Sequence, residues 1–211
     1  MEYGRLSHLY PIISSNIMLK KITLFLIILC LLSCGGNKYF NKKFKYEVTL
    51  PTNYITIEDG VPTEKSEQMK GRIATEGGVP MYQGVDAAFC DSESFGPVFD
   101  SVTVTAMNKP FSMKQIEQSQ MTIEAMFLQM LSSRYDDVRL INSGFEKFKS
   151  GQGYKANFSF TYKGKNCSAC TVLLTNNILY STLFTMMCPD ERSDIATKHL
   201  YEIINSFKRK F

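Results

Sequence analysis

Apolar and polar residues alternate at the start of the chain's folded part: Phe44, Tyr46, Val48 and Leu50 are interleaved with Lys45, Glu47 and Thr49, and Pro51 closes the run. A period of two puts one set of side chains on one face, so this segment predicts a half-buried strand. Residues 85–90 and 98–107 predict two more strands, and the Asp, Ser, Gly and Pro of 91–97 suit a hairpin connection between them. From Thr52 to Gln83 the pattern is weak: residues 54–57 read as a short strand, and Glu58-Asp59-Gly60 and Glu76-Gly77-Gly78 as turns or loop. The period then changes. Ser112 with Gln115 forms a capping box, and Ile116, Ile123, Phe127, Met130 and Leu131 share one face of a helix reaching about Arg134, with Met113 and Met126 at its margins. Four consecutive strands follow, at 138–149, 154–163, 167–175 and 178–187. Tyr154, Ala156, Phe158, Phe160 and Tyr162 fall on one face of the second, and Asn176-Asn177 predicts a tight turn before the fourth. Pro189-Asp190 opens a last helix in which Ala196, His199, Leu200, Ile203, Ile204 and Phe207 recur at helical spacing. Antiparallel strands in sequence with one central and one terminal helix predict the α+β class, a mostly antiparallel sheet with helices packed on its faces.

The amino-terminal segment has a different character. Met18-Leu19-Lys20-Lys21 precedes an apolar run from Ile22 to Leu32, then Ser33 and Cys34. A basic start, an apolar stretch of about 11 residues and a small residue before the cut describe a signal peptide, and the stretch is too short for a stable transmembrane helix. Leu31-Leu32-Ser33-Cys34 resembles the lipobox of bacterial lipoproteins. The resemblance implies cleavage before Cys34, a diacylglycerol on its thiol and an acylated new amino end. Two or three acyl chains hold a protein on a membrane where one does not. Residues 1–17 fit none of this machinery and are expected to be a start extension, with translation beginning at Met18. The expected division is therefore 18–33 signal peptide, 34–43 lipidated tether and 44–211 a single domain. Gly35, where an Asp would imply inner-membrane retention, favours the outer membrane by the same resemblance, on the periplasmic face before the cell surface.

Composition narrows the chemistry more than it directs it. Of 211 residues, 44% are hydrophobic and 21% charged, as in a folded domain of ordinary size. Lys and Arg exceed Asp and Glu by 24 to 20, too small an excess for a nucleic-acid binder. Removing residues 1–33 takes Arg5, Lys20, Lys21 and Glu2, so the mature charge falls to about +2, and it also takes Cys30 and His8. His199 is then the one imidazole, and Cys90, Cys167, Cys170 and Cys188 are the unacylated thiols. A triad would have to be built on His199, and a zinc site of two or three histidines cannot be built at all.

Each remaining constellation has a plain structural explanation. Cys167-Ser168-Ala169-Cys170 has redox spacing, but the β-favouring Thr171-Val172-Leu173-Leu174 follows where a thiolate-stabilising helix start would be needed. In a strand, residues three apart face opposite sides. An oxidising compartment favours disulfides instead. A two-residue turn at Asn176-Asn177 sets Cys167 opposite Met186 and diagonal to Cys188, and a four-residue loop shifted by one sets it opposite Cys188, so a Cys167–Cys188 bridge is expected. His199 reads as a packed or rim imidazole. Met113, Met126 and Met130 read as core fillers before a soft Cu(I) site. Asp136-Asp137 and Asp190-Glu191 read as turn and cap residues, Gly151-Gln152-Gly153 as a turn, and Asp100-Ser101-Val102 as a chance match to an O-glycosylation acceptor.

Phe44-Lys45-Tyr46-Glu47-Val48-Thr49-Leu50-Pro51, the central helix, and Leu179-Tyr180-Ser181-Thr182-Leu183-Phe184 leading to a helix that ends Ile204-Asn205-Ser206-Phe207-Lys208 resemble the PsbP-like fold. That group includes small bacterial lipoproteins. The resemblance implies an α+β sandwich with an accessory or partner-binding role, without catalysis or cofactor, and transfers no binding residue. The expected function is a membrane-anchored lipoprotein whose non-catalytic, partner-binding or accessory domain binds or supports another envelope component, protein before small molecule. The alternatives are a small-ligand carrier with a groove lined by the aromatics of 154–162 and, more weakly, an envelope hydrolase.

Overall fold

The computed structural model describes residues 37–58, 64–76, 85–94, 98–107, 110–175 and 181–210. Residues 1–36, with the expected extension, signal peptide and Cys34, lie outside the described residues, as does the Asn176-Asn177 turn. The order of elements is β1 (Asn37–Asn41), β2 (Tyr46–Leu50), β3 (Tyr54–Glu58), α1 (Glu64–Glu76), β4 (Ala87–Asp91), β5 (Ser101–Met107), α2 (Met113–Gln118), α3 (Gln120–Ser132), β6 (Asp136–Phe148), β7 (Gly151–Tyr162), β8 (Lys165–Thr175), β9 (Ser181–Pro189), α4 (Ser193–Ser206) and β10 (Lys208–Arg209). Strands β3-β4-β5-β9-β8-β7-β6 form a seven-stranded sheet in that order, every pairing antiparallel, and β1-β2-β10 form a small second sheet. This is the predicted α+β architecture.

Long hairpins build the sheet because their turns match its twist. Lys163 and Gly164 both have positive φ, 48° and 73°, and join Tyr162 to Lys165 as a two-residue turn of the kind that suits right-twisted strands. At the preceding corner Gly151 has φ 154°, and a Cβ there would sit 2.8 Å from the Thr175 carbonyl oxygen, so the close approach of β7 to β8 requires glycine.

One face of the large sheet packs on α4 and the small sheet. Phe89, Val102, Val104, Val172, Phe184 and Met186 meet Leu200, Ile203 and Ile204 of α4 and Tyr46, Val48 and Leu50 of β2. On the other face, Ile116 of α2 and Ile123, Phe127 and Leu131 of α3 meet Tyr154, Phe158, Phe160, Cys167 and Ala169. Met69 and Ile73 of α1 cover Ile57, Ala88, Cys90 and Phe99 on the β3–β4 side. β8 lies between two covered faces, which is why its apolar residues run on without alternation.

Three boundaries differ from expectation. The tether assigned to 34–43 contains β1: Tyr39 pairs with Val48 and Asn41 with Tyr46, and the buried Asn41 side chain accepts from the Phe44 amide at 2.9 Å and donates to the Asp86 carbonyl at 3.1 Å. The compact unit accordingly runs from Asn37, not residue 44, to Phe211. The central helix is two helices, broken at Ser119, whose amide bonds back to the Gln115 and Ile116 carbonyls. Helix α1 went unread because charged residues and Gly71 surround its Met69 and Ile73, leaving little periodic signal.

Candidate functional site

Two groupings stand out, one buried and one exposed. The buried one gathers at one end of the large sheet, beneath the start of α4. Register puts Tyr54 beside Asp91, and Asp100 lies just ahead of β5, where its carbonyl accepts the Asp91 amide at 2.9 Å. Tyr54 donates its hydroxyl to Asp100 Oδ1. Arg192, in the turn before α4, donates through Nη2 to Asp91 Oδ2 at 2.5 Å and to Asp100 Oδ2 at 3.2 Å. Burial lifts the Asp100 carboxyl above its ordinary range, while the hydrogen bonds from Tyr54 and Arg192 and the Arg192 charge pull it back. Burial and the neighbouring Asp100 also push the Tyr54 phenol up, so it stays a donor. Desolvation disfavours the Arg192 cation, but hydrogen bonds and charge from Asp100 and Asp91 outweigh it and hold it charged. His199 lies on the rim, its ring edge-on to Tyr54 at 5.1 Å, with Nδ1 buried and unpartnered. Every oxygen that could act as a base here accepts from a fixed donor, so the cluster fastens the start of α4 to the sheet.

The exposed grouping lies on α3 and β6. Among the described residues, five of the eight exposed large apolar side chains are on these two elements: Met121, Met126 and Met130 on α3, Ile141 and Phe145 on β6. Glu124 holds the two elements together, accepting from Ser143 Oγ at 2.6 Å and from the Tyr154 hydroxyl, bonds that lower its carboxyl pKa. β6 is 13 residues long and ends the sheet, so among the described residues one side of its backbone has no strand partner. Irregularities between Asp136 and Arg139 and between Leu140 and Asn142 interrupt it, leaving continuous pairing from Asn142 to Phe148. At its start a cleft of about 290 Å³ is lined by Asp137, Arg139, Ser159, Thr161, Asn166 and Asp190 over Phe160 and Cys167.

The sequence-derived candidates fall as follows. The four described thiols are free and buried. The expected Cys167–Cys188 pairing does not occur, because β8 and β9 align Thr175 with Ser181, Cys167 with Pro189 and Cys188 with Ser168. One residue of offset sends the two sulfurs to opposite faces, Cys167 toward α3 and Cys188 toward α4. Cys167 and Cys170 likewise face opposite sides of β8, as strand geometry predicts. Burial raises the thiol of Cys167 to about 11 and that of Cys170 to about 12. Met126 and Met130 are 52% and 38% exposed, not core fillers, whereas Met113 packs at the core margin. Tyr154 and Phe158 are buried beneath α2 and α3, and Phe160 lies at the floor of the cleft, whose lining is mostly polar where a carrier calls for a mostly apolar one. Asp100 and Val102 are fully buried and the partly exposed Ser101 between them is paired within the sheet, which leaves little of the O-glycosylation pattern accessible in the folded state. Tyr54, Asp91, Asp100 and Arg192 were missed; the signal for them is a buried Asp beside a strand, which no local pattern shows.

No family model and no curated protein matches the sequence. Among solved structures, the chain is similar to cyanobacterial PsbP (CyanoP) from Synechocystis sp. PCC 6803, with 15% identity and a TM-score of 0.51 over 82% of this chain and 92% of that one. It is also similar to a crystal structure from Bacteroides thetaiotaomicron, with 11% identity and a TM-score of 0.54 over 84% of this chain and 49% of that one, so it spans about half of that protein's length. These similarities establish the fold: the chain has the PsbP-like architecture that its sequence resembles.

Proposed function

We propose that this PsbP-like domain is a non-catalytic binding module of the cell envelope, anchored through acylated Cys34 to the outer membrane on its periplasmic face, and that it engages a protein partner through α3 and β6. The observation that carries this reading is the concentration of exposed Met121, Met126, Met130, Ile141 and Phe145 on two adjoining elements, one of them an open sheet edge. Its methionines are flexible and polarisable, suited to an adaptable interface. A non-catalytic role is supported by the state of the reactive groups: the described thiols are buried with raised pKa values, and the cluster carboxylates are engaged by Tyr54 and Arg192.

The test uses the full-length protein in its native envelope, with a photo-crosslinking residue at position 126 or 141 and, as control, at Ile195 of α4, which is 51% exposed. A discrete protein adduct is expected from 126 and 141 and not from 195, and it is expected to disappear when Met126→Glu or Ile141→Glu is placed beside the probe. Equal crosslinking from all three positions, or a co-purifying small molecule without a protein adduct, overturns the proposal.

A further inference from the structure

The small sheet has an outer face whose composition is unlike the rest of the domain. On β2, Tyr46, Val48 and Leu50 point into the core, so Glu47 and Thr49 point out. Cross-strand partners share a face: Phe40 and Lys208 both pair with Glu47, and Lys38 with Thr49. Lys210, just past β10, returns to Glu47 Oε2 at 2.7 Å and lies 5.4 Å from the Phe40 ring centroid. Lys38, Lys208 and Lys210 thus surround one glutamate, and all three exert their charge on it; the hydrogen bond from Lys210 dominates and keeps Glu47 ionised. The β1–β2 turn adds Lys42, Lys43 and Lys45, all exposed, and Phe40 is 44% exposed among them. Asp86, a carboxylate near Lys43, is half-buried and engaged by the Ala106 amide. Six lysines against one glutamate exceed the charge of the whole mature chain, about +2, so cationic charge is segregated to this end.

From this segregation we infer that the outer face of β1-β2-β10, with the Lys42–Lys45 turn, is a docking surface for an anionic lipid bilayer, Phe40 entering the headgroup region while the lysines meet the phosphates. Its position deepens the anchor reading, on which it rests for this one argument. Cys34 precedes Asn37 by three residues, and an extended chain covers at most about 3.6 Å per residue, so an acylated Cys34 would keep β1 within roughly 11 Å of the headgroups. That is close to the Debye length at physiological ionic strength, where lysines still feel an anionic leaflet. An acidic protein could meet the same charges, but the adjacency to the acyl chains favours lipid.

The acylated full-length protein, reconstituted in nanodiscs, provides the test. Acetylation rates are read by mass spectrometry at Lys38, Lys42, Lys43 and Lys208, with Lys114 of α2, on the other face of the large sheet, as internal reference. Discs of phosphatidylcholine alone are compared with discs of equal parts phosphatidylcholine and phosphatidylglycerol. Each lysine near an anionic leaflet is worth about fivefold in association, so about fivefold protection or more is expected in the anionic discs only, reversing near 1 M NaCl, where the Debye length is about 3 Å. The variant Lys38→Gln/Lys43→Gln/Lys208→Gln alters exposed positions only, and protection of Lys42 is expected to be lost in it. Equal rates in both lipids overturn the inference. Protection that needs an added envelope protein and fails on pure lipid also overturns it, in favour of an acidic partner. The intact mass of the same sample reads the acyl chains on Cys34; if they are missing, the anchor reading fails while anionic vesicles still decide whether this surface binds lipid.

Discussion

Replacing Tyr54 by Phe removes one oxygen from a side chain 1% exposed and leaves Asp100, fully buried, without its donor at Oδ1. The ring and its edge-on contact with His199 stay in place, so packing loss is small. A hydrogen bond to an ionised acceptor is worth about 1.5–3 kcal/mol, and both partners are buried, so a loss of that size is expected near pH 7. For a domain of this length that corresponds to a fall of about 3–12 °C in Tm. The loss depends on pH with a definite sign. Burial already sets the folded pKa of Asp100 above the unfolded value, so its ionisation removes stability as pH rises from about 4 through the folded pKa. Without Tyr54 the folded pKa climbs further, so the variant's deficit is small below about pH 4, where Asp100 is protonated in both proteins, and full above the variant's raised pKa. The protein contains no Trp, so urea unfolding is followed by far-ultraviolet circular dichroism at several pH values across this window. A loss under about 0.5 kcal/mol at pH 7, or the same loss at low and neutral pH, would refute the charged-acceptor account.

Phe158→Ala should cost about 3–5 kcal/mol in urea unfolding, since Phe158 is 1% exposed and packs edge-on to Phe127 at 6.4 Å, whereas Met121→Ala, 84% exposed, should stay within about 0.5 kcal/mol. Gly151→Ala must move the Thr175 backbone and accept an unfavourable φ, so a loss above about 1 kcal/mol is expected, while Gly144→Ala meets nothing within 4 Å; the two are compared by thermal melts, and equal stability would refute the close-approach argument. Iodoacetamide without reductant should leave Cys90, Cys167, Cys170 and Cys188 unlabelled in the folded protein and label all four in denaturant; intact mass showing incomplete labelling in denaturant would reveal a bridge.

Local patterns were legible where burial is one-sided. The alternation at 44–50 and the helical spacing of 196–207 each name a face directly, and β2 and α4 lie where those patterns predict. They failed where a neighbour supplies what the segment lacks. β1 reads as a polar tether because Lys38, Phe40 and Lys42 look outward, and only Asn41 and Tyr39 pack in. Met126 and Met130 fit the apolar stripe of α3 by spacing, yet the stripe that the sheet covers is narrower, running through Ile123, Phe127 and Leu131. In the candidate sites, His199 was visible as an imidazole on an apolar helix face, but the cluster beside it is assembled from Tyr54 of β3, Asp91 of β4 and the segments before β5 and α4.

What the sequence by itself determined is the class of fold, the face that most strands and helices bury, and the scarcity of imidazoles, since these follow from residue types and short-range periods. Tertiary structure alone decided register and convergence. Periodicity places Cys167 at the start of one strand and Cys188 just past the end of the next, but the alignment of Thr175 with Ser181 decides that they face apart. Lys38 and Lys208 stand at opposite ends of the folded chain and share a surface only because β1 and β10 both pair with β2. Charge and hydrogen-bond partners act through space at a few ångströms, whereas sequence records only order along the chain, so the buried Tyr54–Asp100–Arg192 cluster, and the joining of Lys208 and Lys210 to the lysines of 38–45, emerge only when the chain is folded.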